Sequence, residues 1–269
     1  MHDDPSPDQH YYSVRDGIID RIDAYLAETG IDPQHVTPRD LFGVDQIHGF
    51  GVSATHDHLA RIQVMPDMTV LDIGSGLGGA ARVIAMETQC RVIGLDLSPS
   101  LVLAAAELTR RTGLQDRVSF VTGNALLLPF PDSLFDHVWC HYVTMNVPDK
   151  RGLAREVARV LKPGGRLSVV EVVLGPAAPP RYPLPWATHE ADSFLAAGHV
   201  LVDAVTAAGL VPISVVESLP RPAWPPGPRI TQRLDVVVRD WEEREQNMIA
   251  ARRERQIQDQ FILAEKASD

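Results

Sequence analysis

The chain has only two cysteines in 269 residues, Cys90 and Cys140, which stand in separate apolar runs without a C-x-x-C pairing. That excludes a disulfide framework and leaves buried, reduced thiols as the expectation. Basic charge is also scarce, with 25 Lys and Arg against 35 Asp and Glu and a formal net charge of −10. Sequence-independent nucleic-acid binding needs clustered cations to displace phosphate counterions, so no nucleic-acid partner is expected. Charged residues interrupt every apolar run well short of the roughly 20 residues that a bilayer demands. The stretch 1-MHDDPSPDQH-10 has neither the basic start nor the apolar core of a secretory signal. A cytoplasmic protein without a membrane partner is the expectation. Internal repeats and low-complexity tracts are missing as well.

What is present is an ordinary globular composition, 45% hydrophobic and 22% charged, with chain enough for one large domain and an appendage. Ser13 and Asp16 form an S-x-x-D cap ahead of Val14, Ile18, Ile22, Tyr25 and Leu26 at helical spacing. Residues 1–66 therefore read as an N-terminal helical cap, and 67–269 as the main domain. Strand-like and helical runs then alternate: 69-TVLDIG-74, a helix from Ala80 to Met86, 91-RVIGLD-96, and a helix capped by Ser98 with Pro99 first. Next come 117-RVSFVT-122, 135-FDHVWC-140, a helix carrying Leu153, Val157, Val160 and Leu161 that 162-KPGG-165 stops, and 166-RLSVVEVV-173. Repeated β-α units predict an α/β fold, a doubly wound parallel sheet with helices on both faces. The tail differs. A helix near 200–209 and the strand 211-VPISVVES-218 precede the proline-rich 219-LPRPAWPPGPR-229. A charged helix over 231–255 and a closing strand at 257-IQDQFILAEK-266 follow, the strand expected to run antiparallel to the one before it. Residues 219–256 thus form an insertion.

The glycines of 70-VLDIGSGLGG-79 fit G-x-G-x-x-G at 74, 76 and 79, between a strand and a helix. In a dinucleotide site, pyrophosphate rests on that helix N-terminus. Asp72 would stand about 5 Å away, a repulsion on the order of 3 kcal/mol per charge pair at an effective dielectric near 20. The sign reverses for a cofactor that presents an ammonium and a sulfonium, and S-adenosylmethionine is such a cofactor. Asp96, ending the second strand, can accept both ribose hydroxyls, which suits either cofactor. Leu97 offers an apolar face to adenine, and Asn124 follows the third strand at the same edge.

Together, 70-VLDIGSGLGG-79, 93-IGLDLS-98, 122-TGNALLLPFPDSLFD-136 and 159-RVLKPGGRL-167 resemble the class I S-adenosylmethionine-dependent methyltransferases across about residues 60–175. The flanks 45-DQIHGFGVSAT-55, 144-TMNVPDK-150 and 182-YPLPWATHEADSFL-195 are similar to the small-molecule branch that holds sarcosine and dimethylglycine N-methyltransferases and quinone-pathway C-methyltransferases. The resemblance implies a Rossmann-like seven-stranded sheet whose last strand is antiparallel. It implies that Asp72, Gly74, Ser75, Gly76 and Gly78 hold the methionine portion of the cofactor, Asp96 the ribose, Leu97 the adenine face, and Asn124 with Ala125 the adenine edge. Two positions depart from the branch: Asn124 replaces the usual Asp, and Phe50 stands where glycine is common.

Methyl transfer from a sulfonium needs alignment above all, plus a proton acceptor if the nucleophile is an amine or hydroxyl. His141, just past the fourth strand, is the first candidate for both cofactor contact and proton transfer, since a histidine near its ordinary pKa suits that task. Its alternative role is a hydrogen bond to cofactor or backbone. His48 and Gln46 could close over the cofactor from the cap, or merely form a polar capping loop. Tyr11, Tyr12, Asn146 and Trp186 are candidate substrate contacts, Trp186 equally an anchor for the crossover. His56 and His58, two apart on a helix, point about 200° apart and cannot share a metal from one face. No metal site is expected. Trp224 and the helix 241-WEEREQ-246 read as a solvated surface, with a homodimer contact as the alternative. The expected reaction is methyl transfer to a small-molecule acceptor such as an amine, amino acid or specialised metabolite. The alternatives are cyclisation of the cofactor, C-methylation of a prenyl- or sterol-like carbon, an NAD-dependent oxidoreductase, or a non-catalytic cofactor-binding module.

Overall fold

A computed structural model of the chain describes residues 17–219 and 231–268. Tyr11, Tyr12, the Ser13 cap and Trp224 lie outside the described residues. Helices α1 (Ile18–Glu28), α2 (Pro38–Leu41) and α3 (Gly51–Ala60) precede the first strand. Strand β1 (Thr69–Ile73) leads to α4 (Gly79–Thr88), β2 (Arg91–Asp96) to α5 (Pro99–Arg111), and then come β3 (Val118–Thr122), β4 (Phe135–His141), α6 (Lys150–Val160) and β5 (Leu161–Leu174). The chain continues through α7 (Gly198–Ala207), β6 (Leu210–Val216), α8 (Trp241–Arg253) and β7 (Ile257–Lys266). The seven strands lie in the order β3-β2-β1-β4-β5-β7-β6. Strands β1 to β5 pair in parallel, and β7 runs antiparallel to both β5 and β6. This is the expected Rossmann-like sheet with an antiparallel last strand.

The central strands β1, β4 and β7 are buried almost throughout because helices cover both faces of the sheet, whereas β6 at the edge alternates. One core joins Val70, Val92, Trp139 and Val170 to α4 and α8, and the other joins Leu71, Leu95, Val138 and Val169 to α6 and α7. A third core sets Ile22 and Leu26 of α1 against Leu101 and Leu108 of α5 and against Leu234, Val237 and Trp241. That cluster explains one departure from expectation. The segment 231–240 is no part of a long helix, because its apolar residues fold inward as a 3-10 turn (Leu234–Val236), and α8 begins only at Trp241. Helix α8 is not wholly solvated either. Trp241, Arg244, Met248 and Ala251 are buried along one side, while Glu242 and Glu243 face water.

A second departure lies at 162-KPGG-165. Strand β5 begins directly at Leu161, and its register with β4 jumps between Phe135–Leu161 and His137–Arg166. Pro163 cannot donate to a ladder, and Gly164 has φ 73°, so these residues bulge outward and the strand resumes beyond them.

Arg82, on α4, is fully buried and joins the cap to the sheet domain. Its Nη2 donates to Asp45 Oδ2 at 2.9 Å and to the Leu77 carbonyl at 2.7 Å, and its Nη1 donates to Thr109 Oγ1 at 2.9 Å. Gly79 permits this approach, since a Cβ there would collide with the Asp45 carbonyl oxygen. Arg82→Met should therefore destabilise the protein by about 3–5 kcal/mol in urea unfolding, through the buried carboxylate it strands. Adding Asp45→Leu should recover most of that loss.

Candidate active site

The carboxyl ends of β1, β2 and β4 open into a cavity of about 280 Å³. Ligands of open α/β sheets bind at this edge. Asp72 lies near the end of β1, in register with Gly94 on β2 and Trp139 on β4. It is 3% exposed, and its Oδ2 has no hydrogen-bond partner among the described residues. Burial first, and the charge of Asp96 second, push its carboxyl up to about 8. An acceptor oxygen so placed is an unmet demand for a cation or a donor.

Strand β2 ends at Asp96, whose Oδ2 accepts the Gly76 N–H at 2.8 Å and whose Oδ1 accepts the Ser98 N–H at 3.0 Å. The glycine loop is thereby tied to the end of β2. Gly74 has φ 71°, and a Cβ on it would strike the Val143 side chain, so glycine is required there. Gly74, Ser75, Gly76, Leu97 and Ala125 all line the cavity. Ser75 Oγ is buried and unpartnered among the described residues. Asn124 also lines the cavity, but its Oδ1 already accepts the Leu126 N–H at 2.8 Å, which leaves its amide nitrogen as the more available group. Gly78 is not a lining residue. It caps α4 at φ 76° and sits against Phe120 and Arg82.

From the cap, His48 lines the cavity while Gln46 stands behind it, accepting from Thr55 Oγ1 at 2.7 Å and donating to Asp45 Oδ1 at 3.0 Å. Gln46 supports the wall without facing the cofactor space. The His48 ring stacks on Tyr142, with centroids 5.0 Å apart and an interplanar angle of 7°. His58 lines the cavity too, edge-on to His141 at 5.1 Å. His56 turns the other way to pair with Glu87 at 2.8 Å, so the two histidines of α3 diverge as helical spacing requires. Among the described residues no group of His, Cys, Asp and Glu is arranged to hold a metal ion.

His141 requires a correction. Its Nε2 is 3.1 Å from Ser168 Oγ, its Nδ1 is buried without a partner among the described residues, and its ring stacks on Trp139 at 3.6 Å. Burial drives its pKa well below 6.5, with the other histidines adding to the effect. The premise of a histidine near its ordinary pKa therefore does not hold. Burial likewise lowers His48 to about 4 and His58 to about 3. All three imidazoles are neutral near pH 7.

Phe50, where the related branch favours glycine, has φ 66°, a left-handed conformation that costs a bulky residue on the order of 1 kcal/mol. Arg252 lies 5.0 Å from its ring centroid, a cation–π contact that offsets part of this strain. Trp186 is buried at 2% exposure, and its Nε1 donates to Ser193 Oγ at 3.0 Å. It anchors the crossover and borders a smaller cavity behind His48.

With this geometry in place, comparison with known proteins is informative. Residues 71–169 match the family described as "Methyltransferase domain". That stretch, a little over a third of the chain, is similar to methyltransferase domains. It runs from β1 into β5 and includes Asp72, Asp96, Asn124 and His141. Methyltransferase GfsG of Streptomyces halstedii is 36% identical over 135 residues, which cover 50% of this chain and 49% of that protein. A sterol 24-C-methyltransferase of Eremothecium gossypii is 40% identical over 123 residues, covering 45% of this chain and 33% of that one. The chain thus spans about half, or less, of the length of these curated relatives. A geranyl diphosphate methyltransferase solved in complex with SAM superposes with a TM-score of 0.63 at 23% identity, covering 80% of this chain and 85% of that one. At that identity the likeness speaks for the fold alone.

Beyond β4, the far side of the cavity is shaped by a clamp that sequence reading missed. Glu171 of β5 is buried, and its carboxylate accepts the backbone N–H groups of Val143 and Thr144. Lys150 Nζ donates to the carbonyls of Thr144 at 2.8 Å, Val147 at 2.5 Å and Phe194 at 2.6 Å. Between them these two side chains fix the 143–147 segment, from which Val143, Asn146 and Val147 line the cavity. Burial pushes Glu171 up to about 7 and Lys150 down to about 8. Asp72 carries a prediction of its own. The folded protein keeps its proton to about pH 8, whereas the unfolded chain releases it near 3.8, so this group's contribution to stability falls as pH rises through that window. Asp72→Asn, which cannot ionise, should therefore gain stability relative to the wild type as pH rises from 4 to 8, at about 1.4 kcal/mol per pH unit. Thermal unfolding of the ligand-free protein across this range checks it.

Proposed function

We propose that the protein transfers a methyl group from S-adenosylmethionine to a small-molecule acceptor. The observation that carries this reading is Asp72, a buried carboxylate beneath the glycine loop whose Oδ2 has no partner among the described residues. A cationic amino-acid head would draw off its proton and pair with it, whereas a pyrophosphate would offer it no cation. In this reading Asp72 and the Gly74–Gly76 turn hold the methionine portion, Asp96 accepts from the ribose hydroxyls, Leu97 covers one face of adenine, and the amide of Asn124 with Ala125 meets its edge. S-adenosylmethionine supplies a methyl already activated by its sulfonium charge, so that the acceptor–carbon bond forms as the sulfur–carbon pair returns to sulfur. The side chains align the acceptor and exclude water.

His141 is read as a positioning group. Its Nε2 is taken up by Ser168 and its ring is held neutral. His48 also borders the cavity, but its Nδ1 lies 3.2 Å from the Gly49 carbonyl oxygen and its Nε2 3.2 Å from Thr55 Oγ1, so it too is read as a positioning group. We further propose that residues 18–66 and the 231–256 segment act together as the cover of the site, since they share one apolar core. A cytoplasmic enzyme without a nucleic-acid or membrane partner fits the net charge of −10, and no helix among the described residues is long and apolar enough to cross a membrane. A homodimer contact through 241–246 is not favoured, because Trp241 and Arg244 are buried against the protein's own chain.

Isothermal titration should give saturable one-to-one binding of S-adenosylmethionine and S-adenosylhomocysteine, and none of NAD. Asp72→Asn, shown to be folded by circular dichroism, should weaken S-adenosylmethionine by about 10- to 100-fold, the range for losing a charge-assisted contact. Tight NAD binding with no response to the sulfonium compound would reverse the reading.

A further inference from the structure

Ile47, His48 and Tyr142 each border two cavities. In front lies the large cavity read above as the cofactor site. Behind lies a small one of about 20 Å³, walled by Met145, Val172, Pro185, Trp186, Trp241 and Met248. The stacked rings of His48 and Tyr142 are therefore a partition between the two spaces. The rear cavity as it stands holds about one water-sized sphere. Its walls, however, are of a kind that can yield. Met145 and Met248 are unbranched and adaptable. Tyr142 is held at φ 58°, a left-handed conformation that strains a non-glycine residue, so leaving it releases strain. His48 lies on the irregular stretch between α2 and α3.

We propose that the His48–Tyr142 partition opens to admit the tail of the methyl acceptor into the rear cavity, and that the acceptor is an elongated, uncharged, apolar molecule. The inference rests on the methyltransferase reading and deepens it. The charge argument is local. Among the described residues lining either cavity the only Lys or Arg is Arg252, and its guanidinium already makes two hydrogen bonds to Asp259, at 3.0 and 2.8 Å. A phosphorylated or carboxylate tail would be buried there without a partner. An ammonium tail fares no better, since the rear walls named above contain no carboxylate. Trp, Met, Val and Pro surfaces gain only from hydrocarbon. The reacting end of the acceptor would remain in front, beside His58 and His141.

The test uses the full chain saturated with S-adenosylhomocysteine. It is titrated with straight-chain primary alcohols of six to sixteen carbons and with alkyl phosphates of the same lengths. Affinity should rise roughly threefold to fourfold per methylene along the alcohols, and the phosphates should bind more weakly at each length. Met248→Trp fills the rear cavity from α8, and Val172→Phe fills it independently from β5. Each should remove at least roughly tenfold of the affinity for the long alcohols while leaving hexanol and S-adenosylhomocysteine, whose cavity neither residue lines, as in the wild type. The proposal is overturned if both filled variants bind long alcohols like the wild type. It also falls if alkyl phosphates bind more tightly than alcohols, or if the loaded protein binds no alcohol. Failure of the folded protein to bind S-adenosylhomocysteine at all would instead overturn the methyltransferase reading, and this inference with it.

Discussion

The buried pair of Arg82 and Asp45 is the contact on which the rest of the site depends. A guanidinium with no exposure to water must find its partners inside, and both terminal nitrogens of Arg82 do so, drawing Asp45 onto the start of α4. Two charges out of water cost more than most apolar contacts return, and burial pushes the Asp45 carboxyl upward even with Arg82 beside it. What the pair provides is register. Once Asp45 is fixed, Gln46 bonds to Thr55, His48 reaches Tyr142, and the cap stands at a defined height above the glycine loop. The third glycine of the motif, Gly79, makes room for this contact with the cap. The first two shape the turn.

A similar division runs through the acids of the site. Asp96 and Glu171 are both satisfied by backbone N–H groups, and each holds a loop in place: the glycine turn for Asp96, the 143–147 segment for Glu171. Asp72, with the same side chain as Asp96 and only a strand away, has an oxygen without a partner among the described residues. Local hydrogen bonding therefore separates scaffold acids from a binding acid where charge alone cannot. The histidines follow the same logic. Burial strips all three of charge, which leaves them as shaped, weakly polar surface.

Much of this was legible in the chain because the relevant signals are local. Strand runs bounded by glycine turns, the Ser98–Pro99 helix start and the Asp72 carboxylate ahead of the loop each depend on neighbours within a few residues, and parallel pairing of the early strands follows from β-α repetition. What could not be read depends on contacts between distant segments. Asp45 and Arg82 are 37 positions apart, and Glu171 meets Val143 across 28. Each carried a faint clue nonetheless. Arg82 interrupts the apolar side of its helix, and Glu171 sits inside 166-RLSVVEVV-173, where an acid is out of place without a partner. His58 was set aside once a metal had been excluded, although the same helical divergence that separates it from His56 turns it toward the cavity. The helix expected from 231 failed because β-branched residues at 236–238 found a better home in the cap core than on a helix surface.

The strand order has a consequence for how such a chain is made. Among the described residues β6 pairs with β7 alone, and β7 lies between it and β5. On the ribosome, β6 leaves the exit tunnel with no edge to join. Its exposed Val211, Ile213 and Val215 must wait unpaired until residues 257–266 have been synthesised and slide between the two halves. Closure of the sheet is thus deferred until β7 has been translated, and until then the nascent chain presents two open borders that invite chaperones or aggregation.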